Sequence, residues 1–211
     1  MPRRTKLEAE QTRSAILDAA EHVFNERGVA RTSLEEIARA AGVTRGAVYW
    51  HFRDKIALCE AMLQRVFLPQ EDILERLAQS ASETPLVDLR KACSNALRLT
   101  ATDPHRRRVA TILNHRCEYV EEMATLMKRR VQCKDRMLGR AKKLFERAEK
   151  LGQLAPGWKP GLAARSLQAM MSGLIANAFE REKNFSLARE GVACLDAFFR
   201  SLGARGTRDA R

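Results

Sequence analysis

Long apolar runs are missing from this chain of 211 residues. None approaches the roughly 20 consecutive residues that a membrane span needs. The basic start, Met1-Pro2-Arg3-Arg4-Thr5-Lys6, is followed by no apolar stretch, so no signal peptide is expected either. Aromatics are scarce at 6%, and the alternating apolar pattern of strands is nearly absent. The cysteines (Cys59, Cys93, Cys117, Cys133, Cys194) include no C-x-x-C pair, and their odd number and wide spacing predict reduced thiols in a cytoplasmic protein. His22, His51, His105 and His115 show no metal-ligand spacing, so neither metal nor cofactor is expected. A catalytic centre would need clustered carboxylates or a nucleophile beside a base. The nearest acidic cluster, Glu118, Glu121 and Glu122, reads as a helix surface, so no catalytic residue is assigned. Internal repeats and low-complexity tracts are also lacking.

What is present is helix-forming. Ala, Leu, Arg, Glu and Lys dominate, and hydrophobic residues make up 45% of the chain, enough for a packed all-α core. The first helix is expected from about Glu10 to Arg27, with Ile16, Leu17, Ala20, Val23 and Phe24 on one stripe and Gly28 past its end. The second starts after Thr32, as a capping box of Thr32 with Glu35 or of Ser33 with Glu36, and stops at Gly42. Thr44 then caps a short third helix to about His51, and Asp54 caps a fourth from Lys55 to Ser80. Five more are expected, at about 85–101, 104–117, 121–151, 160–181 and 186–202, giving about nine helices. The organisation read from this is a three-helix head over 1–55, a helical domain over 56–205 and a disordered tail over 206–211.

Charge alone points to a polyanionic partner but not to the head. The net charge is +12, of which residues 1–55 carry only +2 and the rest +10. The case for DNA rests on pattern. Two short helices joined by a glycine-containing turn can set the second into the major groove. On a wheel of the third helix, Val48 points inward and Gly46 and Trp50 outward, flanked by Ala47 and Tyr49, with Phe52 in the core. Thr44 offers a hydroxyl and a backbone N–H to phosphate, and Arg45 reaches a guanine edge or a phosphate. Gly46 lets the backbone approach, and Ala47 suits a thymine methyl. Tyr49, Trp50 and His51 add polar tips, Lys55 adds charge, and Thr32 and Ser33 open the second helix toward the DNA backbone. Arg3, Arg4 and Lys6 form a basic arm. Arg106-Arg107-Arg108 and Lys128-Arg129-Arg130 read as solvated faces, and His115 as a buried, hydrogen-bonded histidine.

These residues carry a family resemblance. Thr12-Arg13, Ile16-Leu17, Ala19-Ala20 and Phe24-x-x-x-Gly28, followed by Ile37-Ala38-x-x-Ala41-Gly42-Val43-Thr44-Arg45-Gly46-Ala47-Val48-Tyr49-Trp50-His51-Phe52-x-x-Lys55, resemble the opening of TetR-family regulators. Arg3-Arg4-Thr5-Lys6 and Ile112-Leu113-Asn114-His115-Arg116-Cys117-Glu118-Tyr119 are similar to the efflux-pump repressors of the AcrR and TtgR kind.

The resemblance implies a ligand-responsive repressor that binds palindromic double-stranded operator DNA as a homodimer. It implies control of a multidrug efflux operon and release by a small, bulky hydrophobic effector. Regulation of a metabolic operon by an acyl or aromatic metabolite is the alternative. Carried over by position, the ligand residues are Cys93, Ala96, Ala110, Leu113, Asn114, Met137, Leu167, Gln168, Met171, Ser172 and Ile175, where Ala110 and Ser172 replace larger polar groups. The last two helices are implied to pair with a second copy. Their stripes are Leu162, Ala163, Leu167, Met170, Leu174, Ala178 and Phe179, and then Val192, Leu195, Phe198, Phe199 and Leu202.

Overall fold

In a computed structural model the described residues are 6–116, 124–180 and 184–203, and they contain helices and no strand. The helices are α1 (Lys6–Arg27), α2 (Leu34–Ala40), α3 (Arg45–His51), α4 (Lys55–Gln79), α5 (Pro85–Thr102), α6 (Pro104–Thr111), α7 (Ala124–Lys150), α8 (Pro160–Glu180) and α9 (Val192–Ser201). A π-type turn, Ile112–Arg116, continues α6, and another, Leu187–Gly191, leads into α9. Arg3, Arg4 and the expected tail 206–211 lie outside the described residues.

The chain forms two compact units. The first comprises residues 1–68 and 104–129, so the expected head of 1–55 is built together with the start of α4 and with α6. Its core gathers Ile16, Leu17, Ala20 and Phe24 from α1, Ile37 and Ala38 from α2, Val48 from α3, and Leu58 and Met62 from α4. Val109, Ile112 and Leu126 complete it. The apolar stripe read for α1 is the buried one, with one addition that periodicity in apolar residues could not reveal: Glu21 is 0% exposed. Truncating Phe24, also 0% exposed, would cost on the order of 3–5 kcal/mol.

The second unit comprises residues 69–103 and 130–211. Leu86, Leu89 and Leu97 of α5, Leu144 and Phe145 of α7, Ala163 and Leu167 of α8, and the Val192, Leu195, Phe198, Phe199 and Leu202 stripe of α9 make its core. Phe199 stacks on Phe145 at 6.5 Å between centroids. The α9 stripe is therefore consumed internally. Leu162 of α8 remains exposed.

The excess positive charge is concentrated on α7, which carries ten Lys/Arg against three Asp/Glu. Part of it is internal pairing. Arg136 and Arg140 reach Glu71 at 3.0 and 3.2 Å, Arg140 also pairs with Glu75, and Arg147 meets Glu83 at 4.0 Å. In the first unit Arg129 binds Glu60 at 2.8 Å while its side chain stays exposed, in keeping with the solvated face read for it. Sequence patterning misses these pairs because their members lie more than sixty positions apart.

Candidate nucleic-acid interface

The head is set by three local devices. Ser33, not Thr32, is the N-cap of α2, which decides between the two capping boxes that the sequence permits. Its Oγ accepts from the Glu36 N–H at 3.2 Å, and its own N–H donates to Glu36 Oε2 at 2.8 Å. That backbone N–H, helped by the Ser33 hydroxyl and by Arg27, holds the Glu36 carboxyl below the ordinary glutamate range. At the other end of α2, Gly42 takes φ +65°. There the Val43 N–H reaches Ala38 O at 3.0 Å and the Gly42 N–H reaches Arg39 O at 3.2 Å, so the turn closes as a Schellman motif. Thr44, extended at φ −74° and ψ 154°, caps α3, its Oγ accepting from Ala47 N–H at 3.2 Å.

These caps fix which face of α3 turns outward. Val48 is 0% exposed and Phe52 4%, whereas Trp50 is 74% and Tyr49 46% exposed. Ser33, Thr44, Arg45 and Gly46 are also exposed, and Ala47 and His51 are half-buried. Arg45 lies over the Tyr49 ring at 5.4 Å from guanidinium carbon to centroid, with Nη2 3.5 Å from the hydroxyl. The guanidinium is thus stacked on a neighbour one turn away, which restricts its rotamers before any ligand arrives. Trp50 and His51 meet edge to face at 4.5 Å.

Two expected contacts are otherwise engaged. Thr32 is 3% exposed, and its hydroxyl donates to Gly28 O at 2.8 Å. Burial of its methyl and satisfaction of its hydroxyl turn it inward, so its assignment to the DNA-facing set is corrected. Lys55 Nζ donates to Val29 O and Ala30 O, both at 3.0 Å, pinning the loop that precedes α2 rather than standing out as a lone charge. The same loop is held by Val29 N–H on Arg116 O at 3.1 Å. His115 is exposed, against the buried position expected for it.

The residues assigned to a ligand divide between the units. In the first, Leu113 is buried and Ala110 half-buried, and the Asn114 side chain lies outside the described residues. In the second, Cys93 and Leu167 are core residues, and Met137, Met171 and Ile175 pack against that core. Ala96 and Gln168 are half-buried, with the Gln168 amide donating to Lys134 O at 3.0 Å, and Ser172 is on the exposed side of α8. Burial pushes the Cys93 thiol up to about 12, so it is neutral.

A third site was invisible to sequence spacing. Asp18, Glu21 and His105 bring potential ligand atoms within 4.8 Å of one another. The only available signal was Glu21 itself, a carboxylate on the apolar stripe of α1. Two guanidinium groups share the cluster: Arg65 at 2.5 Å from Asp18, and Arg108 at 3.4 Å from Glu21. They balance both carboxylates, leaving a cation no spare negative charge to meet.

Comparison with known proteins agrees with the head and extends over the rest. Residues 16–62 match the family model of bacterial regulatory proteins, tetR family, and residues 84–203 that of the C-terminal region of MAATS-type transcriptional repressors. The transcriptional repressor BepR of Brucella suis is 43% identical over 96% of this chain and 97% of its own. The crystal structure of NalD, the secondary repressor of the MexAB-OprM multidrug efflux pump in Pseudomonas aeruginosa, superposes with a TM-score of 0.83 at 42% identity, covering 93% of this chain and 98% of NalD. A SmeT–triclosan complex gives a TM-score of 0.83 at 37% identity over 90% and 91% of the two chains, and SmeT is the repressor of the Stenotrophomonas maltophilia pump SmeDEF. With both its head and its helical body matched, the chain belongs to the TetR family of transcriptional regulators.

Proposed function

We propose that this regulator represses a multidrug efflux operon in the cytoplasm, binding a palindromic operator as a homodimer and leaving it when a small, bulky hydrophobic compound binds. The observation that carries the DNA half of this reading is the outward face of α3. Arg45 is pre-stacked on Tyr49, beside a glycine that permits backbone approach and a Trp50 that is 74% exposed. A large aromatic left that open on a seven-residue helix makes no contribution to a core. Ser33, Thr44, Ala47 and His51 complete the contact set. Two copies of the head, about 34 Å apart, would meet successive major-groove turns of a palindrome.

The efflux half is supported by the relatives, since NalD and SmeT are both described as repressors of multidrug pumps. In the second unit we assign effector contacts to Cys93, Ala96, Met137, Leu167, Gln168, Met171 and Ile175. Methionines and small side chains there leave adaptable space for compounds of varied shape. Residues 1–55 are the DNA-binding part on this reading, and 56–205 serve ligand binding and pairing.

Sequencing the genomic DNA that the pure protein retains, with and without triclosan as probe, tests both halves. Recovery of a palindrome upstream of a transporter operon, lost from the retained pool with triclosan, is the expected result. A palindrome upstream of a catabolic enzyme, unaffected by triclosan but released by acyl or aromatic metabolites, would favour metabolic control. No enriched sequence at all would refute operator binding.

A further inference from the structure

Glu21 sits on α1 of the first unit with its carboxylate divided between two other helices. Oε2 faces α6: His105 Nδ1 is 2.8 Å away and Arg108 Nη2 3.4 Å, with Arg108 Nη2 also 3.2 Å from His105 Nδ1. Oε1 faces α4, where Arg65 Nη1 stands at 3.5 Å, too long for a good hydrogen bond. That guanidinium is instead drawn to Asp18 Oδ1 at 2.5 Å and to Ser14 Oγ at 3.2 Å. The tie from Glu21 to α6 is closed, and the tie from Glu21 to α4 is open.

The open tie is not neutral. Among the described residues, the buried side-chain atoms without a hydrogen-bond partner are Glu21 Oε1, Ser94 Oγ and Arg108 Nε, so two of the three belong to this cluster. Glu21 is 0% exposed, so bulk solvent does not reach it. Arg65 balances the charge of Oε1 from 3.5 Å without giving it a hydrogen bond, so that atom keeps an unused acceptor. Closing the 3.5 Å gap from Oε1 to Arg65 is the alternative to the 2.8 Å contact of Oε2 with His105. Packed interfaces with two such arrangements are bistable rather than continuously deformable.

We propose that Glu21 is a positioning residue for operator binding. By exchanging partners between His105–Arg108 on α6 and Arg65 on α4, it holds α1, and the helix-turn-helix packed on it, in one of two discrete settings. This rests on the repressor reading above. Replacing Glu21 by the isosteric, uncharged glutamine removes the charge from both ties, spreads the heads over both settings and lowers the competent fraction. Apparent affinity falls by that fraction.

The experiment uses the full-length protein and the operator recovered with it. Wild type, Glu21→Gln, His105→Gln and the double variant are compared for operator affinity at several salt concentrations and for thermal unfolding. Glu21→Gln is expected to weaken operator binding about tenfold, a typical coupling strength, with the slope of log affinity against log salt unchanged. His105→Gln should weaken it less, and the double variant should be no weaker than Glu21→Gln alone. Unchanged affinity in all three variants, with only a lower unfolding midpoint, would make the cluster an ordinary structural ion pair and overturn the proposal. So would additive losses, or tighter binding to every DNA sequence, which a lost negative charge alone would produce. Should Glu21→Gln fail to fold, His105→Gln and Arg65→Met, each altering a partly exposed side chain, carry the same comparison. Failure of the wild-type protein to select any DNA would count against the repressor reading itself.

Discussion

Arg45→Ala is the most informative single perturbation of the interface. The side chain is exposed, its guanidinium lies 5.4 Å from the Tyr49 centroid, and no core residue depends on it, so the fold should survive its loss. If Arg45 reads a guanine edge bidentately, each head loses about 1–3 kcal/mol of discrimination. At about 1.4 kcal/mol per tenfold, that is roughly 5–150-fold for one half-site. A dimer carries two heads with separate contacts, so the loss for a full palindrome should be near the sum. The assay is a competition between the operator and variants substituted at each position of one half-site. Arg45→Ala should flatten preference at one position per half-site and leave the others. The pre-stacked geometry adds a second requirement: Tyr49→Phe keeps the platform and should change affinity less than twofold, whereas Tyr49→Ala should cost about 0.5–1 kcal/mol through Arg45. A uniform loss on all sequences, with the salt slope reduced by about one, would make Arg45 a phosphate contact and refute base reading.

Other consequences are as direct. Ser33→Ala should lower stability by about 1 kcal/mol in chemical denaturation, since it removes the N-cap of α2. The Glu36 carboxyl is held below its ordinary value of 4.5 when folded, so its contribution is present above that value and lost as pH falls below it. The stability difference between wild type and Glu36→Gln should therefore shrink in that acid window. Gly42→Ala meets nothing within 4 Å, so its cost is purely the φ of +65°, about 1 kcal/mol by thermal unfolding, and Gly42→Asn should cost less. The Cys133 thiol is pushed up to about 12, first by burial and then by donating to Glu71 at 2.7 Å. Alkylation at pH 8 should spare Cys133 and Cys93 in the wild type, and Glu71→Gln should make Cys133 the faster of the two by peptide mass spectrometry.

Much of this molecule was legible in one dimension because its instructions are local. A helix face repeats every 3.6 residues, a cap acts within three residues, and a Schellman glycine acts within five. The stripe Ile16, Leu17, Ala20 and Phe24, the stop at Gly42, the Thr44 cap and the outward turn of Trp50 all follow from neighbours in sequence. What tertiary structure alone decided involves partners far apart in the chain. Lys55 closes the α1–α2 loop because the fold brings Val29 and Ala30, some 25 residues earlier, to its ammonium group. The charge that composition assigned to an unexplained half is partly neutralised by glutamates more than sixty residues from their arginines. Glu21 is the plainest case: its sequence neighbours are ordinary, and its partners on α6 lie 84 and 87 positions away. Electrostatic pairing at that separation leaves no periodic trace, because only the folded chain determines which charges lose their water together.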